Sequence, residues 1–146
     1  SKFLTNLKSI VSGMYLSTPA STGKTKSLSK FKKAMPKKYQ GTLFAPHAYD
    51  AMFLMALAMH KAGEASGTAI AQNIRSVSRG DGDVVTVGQF SQATDILDNG
   101  GSLNYQGASS PVDLNKKLEP LNRFAILQVQ DGSTTTLRQI PRSEFQ

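Results

Sequence analysis

The chain has 146 residues, of which 39% are hydrophobic, and this suffices for one ordinary domain with an apolar core. The absence of cysteine excludes disulfides, thiolate metal sites and cysteine nucleophiles. The net charge of +7 is uneven, because residues 1–49 carry nine lysines and no acid, whereas residues 50–146 carry eight basic and ten acidic residues. The longest apolar run, Ala51 to Met59, is too short to span a bilayer, and the start of the chain lacks the apolar core of a signal peptide.

The first third of the chain predicts short helices and one strand. Helical spacing of apolar residues predicts the end of a helix over residues 2–9. A short strand over residues 14–17 follows, and Pro19 is expected to close it. A second helix is predicted over residues 27–35, and Pro36 opens the loop after it.

The strongest predicted element is a helix over residues 46–62, which Gly63 ends. Because most of its positions are apolar, we expect it to be buried on most sides. The residues expected in its core stripe are Ala48, Tyr49, Met52, Phe53, Met55, Ala56 and Met59. The methionines are interpreted as core filler. Asp50, in the first turn, is interpreted as a structural acceptor for unpaired N–H groups at the helix start.

The second half of the chain predicts two helices and then strands. The helices cover residues 68–77 and 87–98, and a short strand is predicted over residues 108–112. Residues 123–140 read as two strands around Asp131-Gly132, a dipeptide typical of a tight hairpin. The pattern predicts an α/β fold with few strands to cover the central helix, so its apolar partner is expected on residues outside this chain.

The segment "STPASTGKTKS" partly matches a nucleotide-binding P-loop. Gly23, Lys24 and Thr25 fit the second half of that motif. Thr18 stands where the motif has its first glycine, and Pro19 has no N–H to donate to phosphate. A surface turn before a basic helix explains the same residues, and a nucleotide-binding protein using these three residues stays open as an alternative.

Seven lysines lie within residues 24–38. Such a cluster grips phosphates in basic nucleic-acid interaction modules, and this is a further alternative. The simpler interpretation is a solvated helix face, with Leu28, Phe31 and Met35 turned toward the core. The cluster contains no arginine and no recognisable nucleic-acid motif, which favours the solvated face.

No catalytic or metal-binding set emerges from the sequence. The two histidines, His47 and His60, have no neighbour at the spacing of metal ligands. The acids are scattered, and there is no G-x-S-x-G motif and no pair of catalytic carboxylates. We therefore predict a protein that is not an enzyme and that uses no metal and no cofactor.

Three stretches together resemble a known family. They are "HAYDAMFLMALAMHKAG" from residue 47, "LNYQGASSPVDLN" from residue 103 and "RFAILQVQDGS" from residue 123. In this order and spacing they resemble the type I periplasmic solute-binding proteins, the branched-chain amino acid receptors of ABC transporters. Family members are more than twice this length, so the chain resembles their C-terminal portion. After "PVDL", residues 115–118 depart from the aspartate and glycine turn usual in the family.

The resemblance implies two lobes, each a parallel sheet wrapped by helices, with a small ligand between them. On this basis residues 1–18 end the second lobe, residues 19–121 form part of the first lobe, and residues 122–146 return to the second lobe as a closing hairpin. The implied function is a periplasmic or otherwise extracytoplasmic receptor that closes on an amino acid or related carboxylate. Its implied partners are an ABC permease and a companion polypeptide carrying the N-terminal part, and no nucleic acid.

The resemblance also implies which residues lie nearest the ligand. Beside the lobe crossing these are Thr18 and Pro19, and at the entry to the central helix they are Phe44, Pro46 and His47. Phe44 or Pro46 would form an apolar wall. His47 would donate to a ligand carboxylate or cap the start of the helix.

Overall fold

The computed structural model describes residues 2–20, 25–39, 44–120 and 123–145. In chain order the described elements are α1 (Lys2–Asn6), α2 (Lys8–Val11), β1 (Tyr15–Ala20), α3 (Lys26–Ala34), α4 (Ala45–Ala62), α5 (Gly67–Ser78), β2 (Asp83–Thr86), α6 (Phe90–Asp98), β3 (Leu103–Gln106), β4 (Arg123–Gln130) and β5 (Ser133–Ile140). Single 3₁₀ turns lie at Lys37–Tyr39 and Arg142–Phe145.

The chain divides into two compact units. One, here called the hairpin unit, consists of Ser1–Ser21 and Asn122–Gln146. The other, here called the helical unit, consists of Thr22–Leu121. The chain therefore passes from one unit to the other twice, near residues 21 and 122.

The hairpin unit contains an antiparallel sheet in the order β1-β4-β5. Asp131 and Gly132 connect β4 to β5 with φ values of 50° and 79°, which suits a tight hairpin turn, so the predicted hairpin is confirmed. The prediction that Pro19 closes β1 is wrong, because the strand continues to Ala20 and Pro19 pairs with Phe124. Proline is tolerated there because β1 lies at the edge of the described sheet.

The helical unit is built around a β-α-β crossover. Strands β2 and β3 pair in parallel, with α6 between them in sequence, as a parallel pair requires. Helices α4 and α5 pack against each other and enclose the core with these strands. The fully buried residues include Leu57, Ala58, Val77, Val85, Ala93, Leu103 and Tyr105.

The sequence prediction missed both strands of the crossover, β2 and β3. The predicted strand over residues 108–112 is wrong, because this segment is a loop with one isolated bridge between Gln106 and Pro111. The strand, β3, lies immediately before it. The predicted helix over residues 87–98 begins later, at Phe90. Strands of four residues carry too little periodicity to be recognised in the sequence.

Helix α4 ends as predicted but buries a different face. Gly63 adopts the left-handed conformation at the C-terminus, with φ of 71°. The buried residues are Asp50, Phe53, Leu54, Leu57 and Ala58, which follow helical spacing. Of the predicted stripe only Phe53 is buried, while Tyr49, Met55, Ala56 and Met59 are half-buried. Met52 is 64% exposed and Ala48 is also exposed, so the prediction is wrong at these positions.

The departure after "PVDL" forms an ordered turn. The side-chain oxygen of Asn115 accepts hydrogen bonds from the backbone N–H groups of Lys117 and Glu119 at 2.8 and 3.0 Å. Leu118 takes the left-handed backbone with φ of 62°, a conformation that glycine adopts most readily. Asn115 thus closes a turn that the family usually makes with other residues.

Among the described residues, no helix combines the length and the apolar content that crossing a bilayer requires.

Candidate functional site

Thr18 and Pro19 lie side by side in β1 of the hairpin unit. Thr18 pairs with Ala125 and Pro19 with Phe124 in the antiparallel register, and both are half-buried. The Thr18 hydroxyl makes a long hydrogen bond of 3.4 Å to the carbonyl oxygen of Pro19. A hydrogen bond this long is weak, so the Thr18 hydroxyl remains suitable for contact with a polar ligand.

Phe44, Pro46 and His47 gather at the start of α4 in the helical unit. Phe44 is the N-cap residue and is 53% exposed, and Pro46 lies in the first turn, where proline is tolerated. The Phe44 and His47 rings meet edge to face with centroids 5.6 Å apart. The first turn therefore presents an apolar aromatic surface beside an imidazole.

The Nδ1 atom of His47 is buried and has no hydrogen-bond partner among the described residues. The N-cap makes no side-chain hydrogen bond either, so His47 does not cap the helix through this atom. Buried polar atoms are nearly always paired, and an unpaired one indicates either a missing partner or a functional role. His47 Nδ1 is therefore a buried side-chain atom that the described residues leave unpaired.

One turn further along α4, Asp50 anchors the loop that follows β3. Its carboxylate accepts hydrogen bonds from the Tyr105 hydroxyl at 2.7 Å and from the Ala108 N–H at 2.7 Å. It also accepts from the N–H and the hydroxyl of Ser109 at 2.8 and 2.6 Å. Asp50 is structural, as expected, but its donors come from β3 and the loop after it, and not from the start of its own helix.

Gly107 allows this loop to approach the carboxylate. A Cβ atom on Gly107 would lie 2.5 Å from Oδ2 of Asp50, which is shorter than any real contact. Only glycine therefore fits at position 107. The stretch "YQGASS" carries part of the family resemblance, but its pattern alone does not reveal that it wraps around a buried carboxylate.

Aromatic rings continue from α3 through α4 to β3. Phe31 meets Tyr49 edge to face at 5.4 Å, and Phe53 stacks on Tyr105 at 4.6 Å with an interplanar angle of 15°. Burial raises the pKa of Tyr105, and the nearby Asp50 carboxylate raises it further. The part of the helical unit that surrounds Asp50 is therefore apolar and aromatic, with Asp50 and its donors as a fully paired polar centre.

Of the three residues in the partial P-loop match, the structure describes only Thr25. The Thr25 hydroxyl accepts a hydrogen bond from the Leu28 N–H at 3.0 Å and caps α3. Gly23 and Lys24 lie outside the described residues. Thr25 is thus accounted for by helix capping.

Other polar features lie away from the predicted ligand residues. His60 pairs with Asp98 at 2.8 Å on the surface of the helical unit. A cavity of about 320 Å³ is lined by Asp83, Gln92, Asp95, Ile96, Asn99 and Gly101. In the part of the chain that the structure describes, no three side chains of the types that bind metals converge.

The fold agrees with comparisons to known proteins. A family model described as "Receptor family ligand binding region" matches residues 4–132. The chain belongs to this family of ligand-binding regions.

Two relatives define the match further. The chain is 35% identical over 133 residues to the chemotactic signal transduction system substrate-binding protein BasB of Halobacterium salinarum, covering 91% of this chain and 32% of BasB. Its fold matches the crystal structure of the leucine binding protein LivK of Thermotoga maritima with a TM-score of 0.60 and 18% identity, covering 92% of this chain and 32% of LivK. The chain therefore spans about a third of the length of these relatives. The expected fold, the C-terminal part of a type I periplasmic binding protein, is confirmed.

Proposed function

We propose that this chain is the C-terminal part of an extracytoplasmic solute-binding protein that captures a small polar ligand, such as an amino acid or related carboxylate. The family match over residues 4–132 is the observation that carries this proposal. The likeness to a leucine binding protein supports an amino acid as the ligand class. On this proposal the protein delivers its ligand to an ABC permease and catalyses no reaction.

A specific observation favours a second kind of partner for the ligand-bound protein. The relative with 35% identity is a substrate-binding protein of a chemotactic signal transduction system. A membrane signal transducer is therefore the second candidate partner, and it requires the same ligand capture. The two recipients differ only in what recognises the closed form.

The mechanism we propose is a shift between open and closed forms. Residues 1–18 and 122–146 would belong to the second lobe and residues 19–121 to the first, and the division of the chain into two units supports this assignment. Contacts that a ligand makes only when both lobes meet would favour the closed form. Thr18 and Pro19 would contribute from beside the crossing.

The start of α4 would supply the first-lobe contacts. The exposed ring of Phe44 and the neighbouring Pro46 would form an apolar wall. His47 would place a ring nitrogen toward a ligand carboxylate, and its unpaired Nδ1 atom supports this role. The Asp50 network would hold this turn of the helix in place.

We further propose that a companion polypeptide supplies the N-terminal part of the fold. Strands β2 and β3 form a parallel pair with no further described strand beside it, and parallel sheets are stable when both faces are covered. Val84 of β2 is 61% exposed, and Met52 of α4 is 64% exposed. These apolar surfaces are the contacts that the companion would cover.

The ligand proposal is tested by calorimetric titration of the protein that contains this chain with amino acids and small carboxylates. We expect micromolar or tighter binding of one class. His47→Ala should weaken binding by roughly tenfold or more, because a hydrogen bond to a charged group contributes about 1.5–3 kcal/mol. His60→Ala, which alters the other histidine, should leave affinity unchanged. If none of these compounds binds, or if both variants behave alike, the proposed ligand class or site is wrong.

The nucleotide-binding alternative is not favoured, because the relatives are binding proteins of another kind. Titration with Mg-ATP should give no heat of binding. A micromolar affinity that Lys24→Ala abolishes would restore that alternative.

A further inference from the structure

Helix α3 is held to the helical unit by one apolar side. Phe31 is 4% exposed and packs with Val87 and Ala108, and Leu28 and Met35 pack against the same cluster. With about 100° of rotation per residue, Leu28, Phe31 and the C-cap residue Met35 lie within roughly 60° of one another. The helix is therefore fixed in rotation, which decides where its remaining side chains point.

The opposite side of α3 carries only lysines and small residues. Lys26, Lys30 and Lys33 also fall within about 60° of one another, roughly opposite the centre of the apolar side of the helix. All three are exposed, and Lys37 and Lys38 of the following 3₁₀ turn are exposed as well. These five residues are here called the lysine face.

The lysine face is not neutralised within the described structure. Residues 25–39 contain no acid, and among the described residues Lys26, Lys30 and Lys33 make no ion pair. Like charges three or four residues apart destabilise a helix. Helix faces that are merely solvated usually mix charges of both signs. An anionic partner would relieve this repulsion.

We propose that the lysine face binds the anionic phospholipid surface of a membrane. Clusters of four to eight lysines or arginines are attracted to anionic lipid headgroups, and each lysine near the surface contributes about 1 kcal/mol, or about fivefold in affinity. Tyr39 is 48% exposed next to these lysines, with the Lys38 ammonium 4.7 Å from its ring centroid. Exposed tyrosine beside basic residues suits the headgroup layer.

The composition of the face favours lipid over nucleic acid. Lysine is a compact point charge that suits a diffuse anionic surface, whereas base recognition relies on the bidentate geometry of arginine. Residues 25–39 contain no arginine. Binding there would keep a receptor near the membrane that holds its partner, and it would not involve His47 or the start of α4.

The test is vesicle co-sedimentation of the protein that contains this chain. Vesicles of phosphatidylcholine alone are compared with vesicles containing 30% phosphatidylglycerol, at low and at physiological salt. We expect binding only to the anionic vesicles, weakening as salt rises. Lys30→Gln combined with Lys33→Gln should lower the affinity about 25-fold. Lys116→Gln combined with Lys117→Gln removes the same charge from another exposed site of the helical unit. This control should change the affinity for anionic vesicles less than threefold.

Several outcomes would overturn the proposal. They are equal binding to both kinds of vesicle, equal loss in the two double variants, and absence of binding to anionic vesicles at low salt. Tighter binding to a DNA duplex than to vesicles, lost in the Lys30 and Lys33 variant, would assign the face to nucleic acid instead. Ligand titration of the same variants separates this question from ligand capture, because affinity for the solute should not change.

Discussion

At the residue scale, Asp50 is the polar centre on which the helical unit depends. It is 2% exposed, and both carboxylate oxygens accept two hydrogen bonds from residues more than fifty positions away in the chain. A buried charge without partners is costly, but this carboxylate is fully paired. The residue therefore joins two distant segments at the base of the candidate ligand site.

Replacing Asp50 by Asn should destabilise the protein by about 3 kcal/mol or more. The amide would direct an NH₂ group at donors that now face an oxygen, which leaves buried N–H or O–H groups unpaired. Urea denaturation of the protein that contains this chain measures the change in the free energy of unfolding. Asp95→Asn, at an exposed position, is the control and should stay within about 0.5 kcal/mol. Equal effects in the two variants would contradict the structural role of Asp50.

Because the Tyr105 hydroxyl is buried beside Asp50, we expect the protein to lose stability at alkaline pH. The tyrosine pKa is about 10 in the unfolded chain and is raised in the folded protein by burial and by Asp50. Below pH 10 both states keep the proton, whereas above pH 10 the unfolded state releases it first, so stability falls as pH rises. Tyr105→Phe should lower stability at pH 7 and flatten this alkaline slope.

Thermal unfolding between pH 8 and pH 11 measures the slope. Tyr39→Phe, at a residue that is 48% exposed, is the control and should keep the alkaline slope of the unaltered protein. If Tyr105→Phe retains that slope as well, Tyr105 is not the group responsible.

At the element scale, α4 is the helix whose burial the sequence predicts least well. Its ends follow local signals, with Pro46 in the first turn and Gly63 at the C-terminus. No local signal shows which face of α4 is buried. Apolar residues occupy nearly every position, and no polar stripe marks the side that faces solvent. Asp50, which the sequence suggested as an acceptor for N–H groups at the helix start, instead lies on the buried side and accepts from a distant segment.

Leu57→Ala should destabilise the protein by about 2–5 kcal/mol, because Leu57 is completely buried and its truncation leaves a cavity. Gln72→Ala, on the exposed side of α5, is the matched helical control and should change stability by less than about 0.5 kcal/mol. Denaturant unfolding of both variants measures the difference. A small effect of Leu57→Ala would place the core of the helical unit elsewhere.

At the scale of the whole molecule, the apolar surfaces left open by β2 and α4 bear on the proposed companion. If a companion covers Met52, then Met52→Asp should lower the melting temperature of the protein that contains this chain by several degrees, since an unpaired carboxylate in an apolar contact costs several kcal/mol. Gln72→Asp introduces the same charge on the exposed side of α5 and should have little effect. Equal melting temperatures would mean that Met52 faces solvent in the assembled protein.

Residues 1–146 expressed alone should lack a cooperative unfolding transition. The helical unit offers one parallel strand pair, and the proposed companion supplies the contacts that offset the entropy of ordering the chain. Size-exclusion chromatography with mass measurement and circular dichroism melting test this. A compact 15.7 kDa monomer with a sharp transition would refute the need for a companion.

The sequence by itself determined the features that depend on neighbours along the chain. Helix α4 stops where Gly63 provides a left-handed residue, the closing hairpin turns at Asp131-Gly132, and the lysine run is visible in the composition. Each of these rests on the conformational preference or charge of a few consecutive residues. The resemblance to a binding-protein family also rests on ordered short stretches, and the family match confirms it.

Only the tertiary structure decided which side of α4 is buried and which strands pair. Asp50 is buried because Tyr105, Ala108 and Ser109 bring four donors to its carboxylate, and Gly107 leaves room for them. Strands β2 and β3 are recognisable because they pair with each other and are covered by helices. The buried side of α4 and the pairing of the strands depend on desolvation and hydrogen bonding between distant segments. A pattern of neighbouring residues does not contain this information.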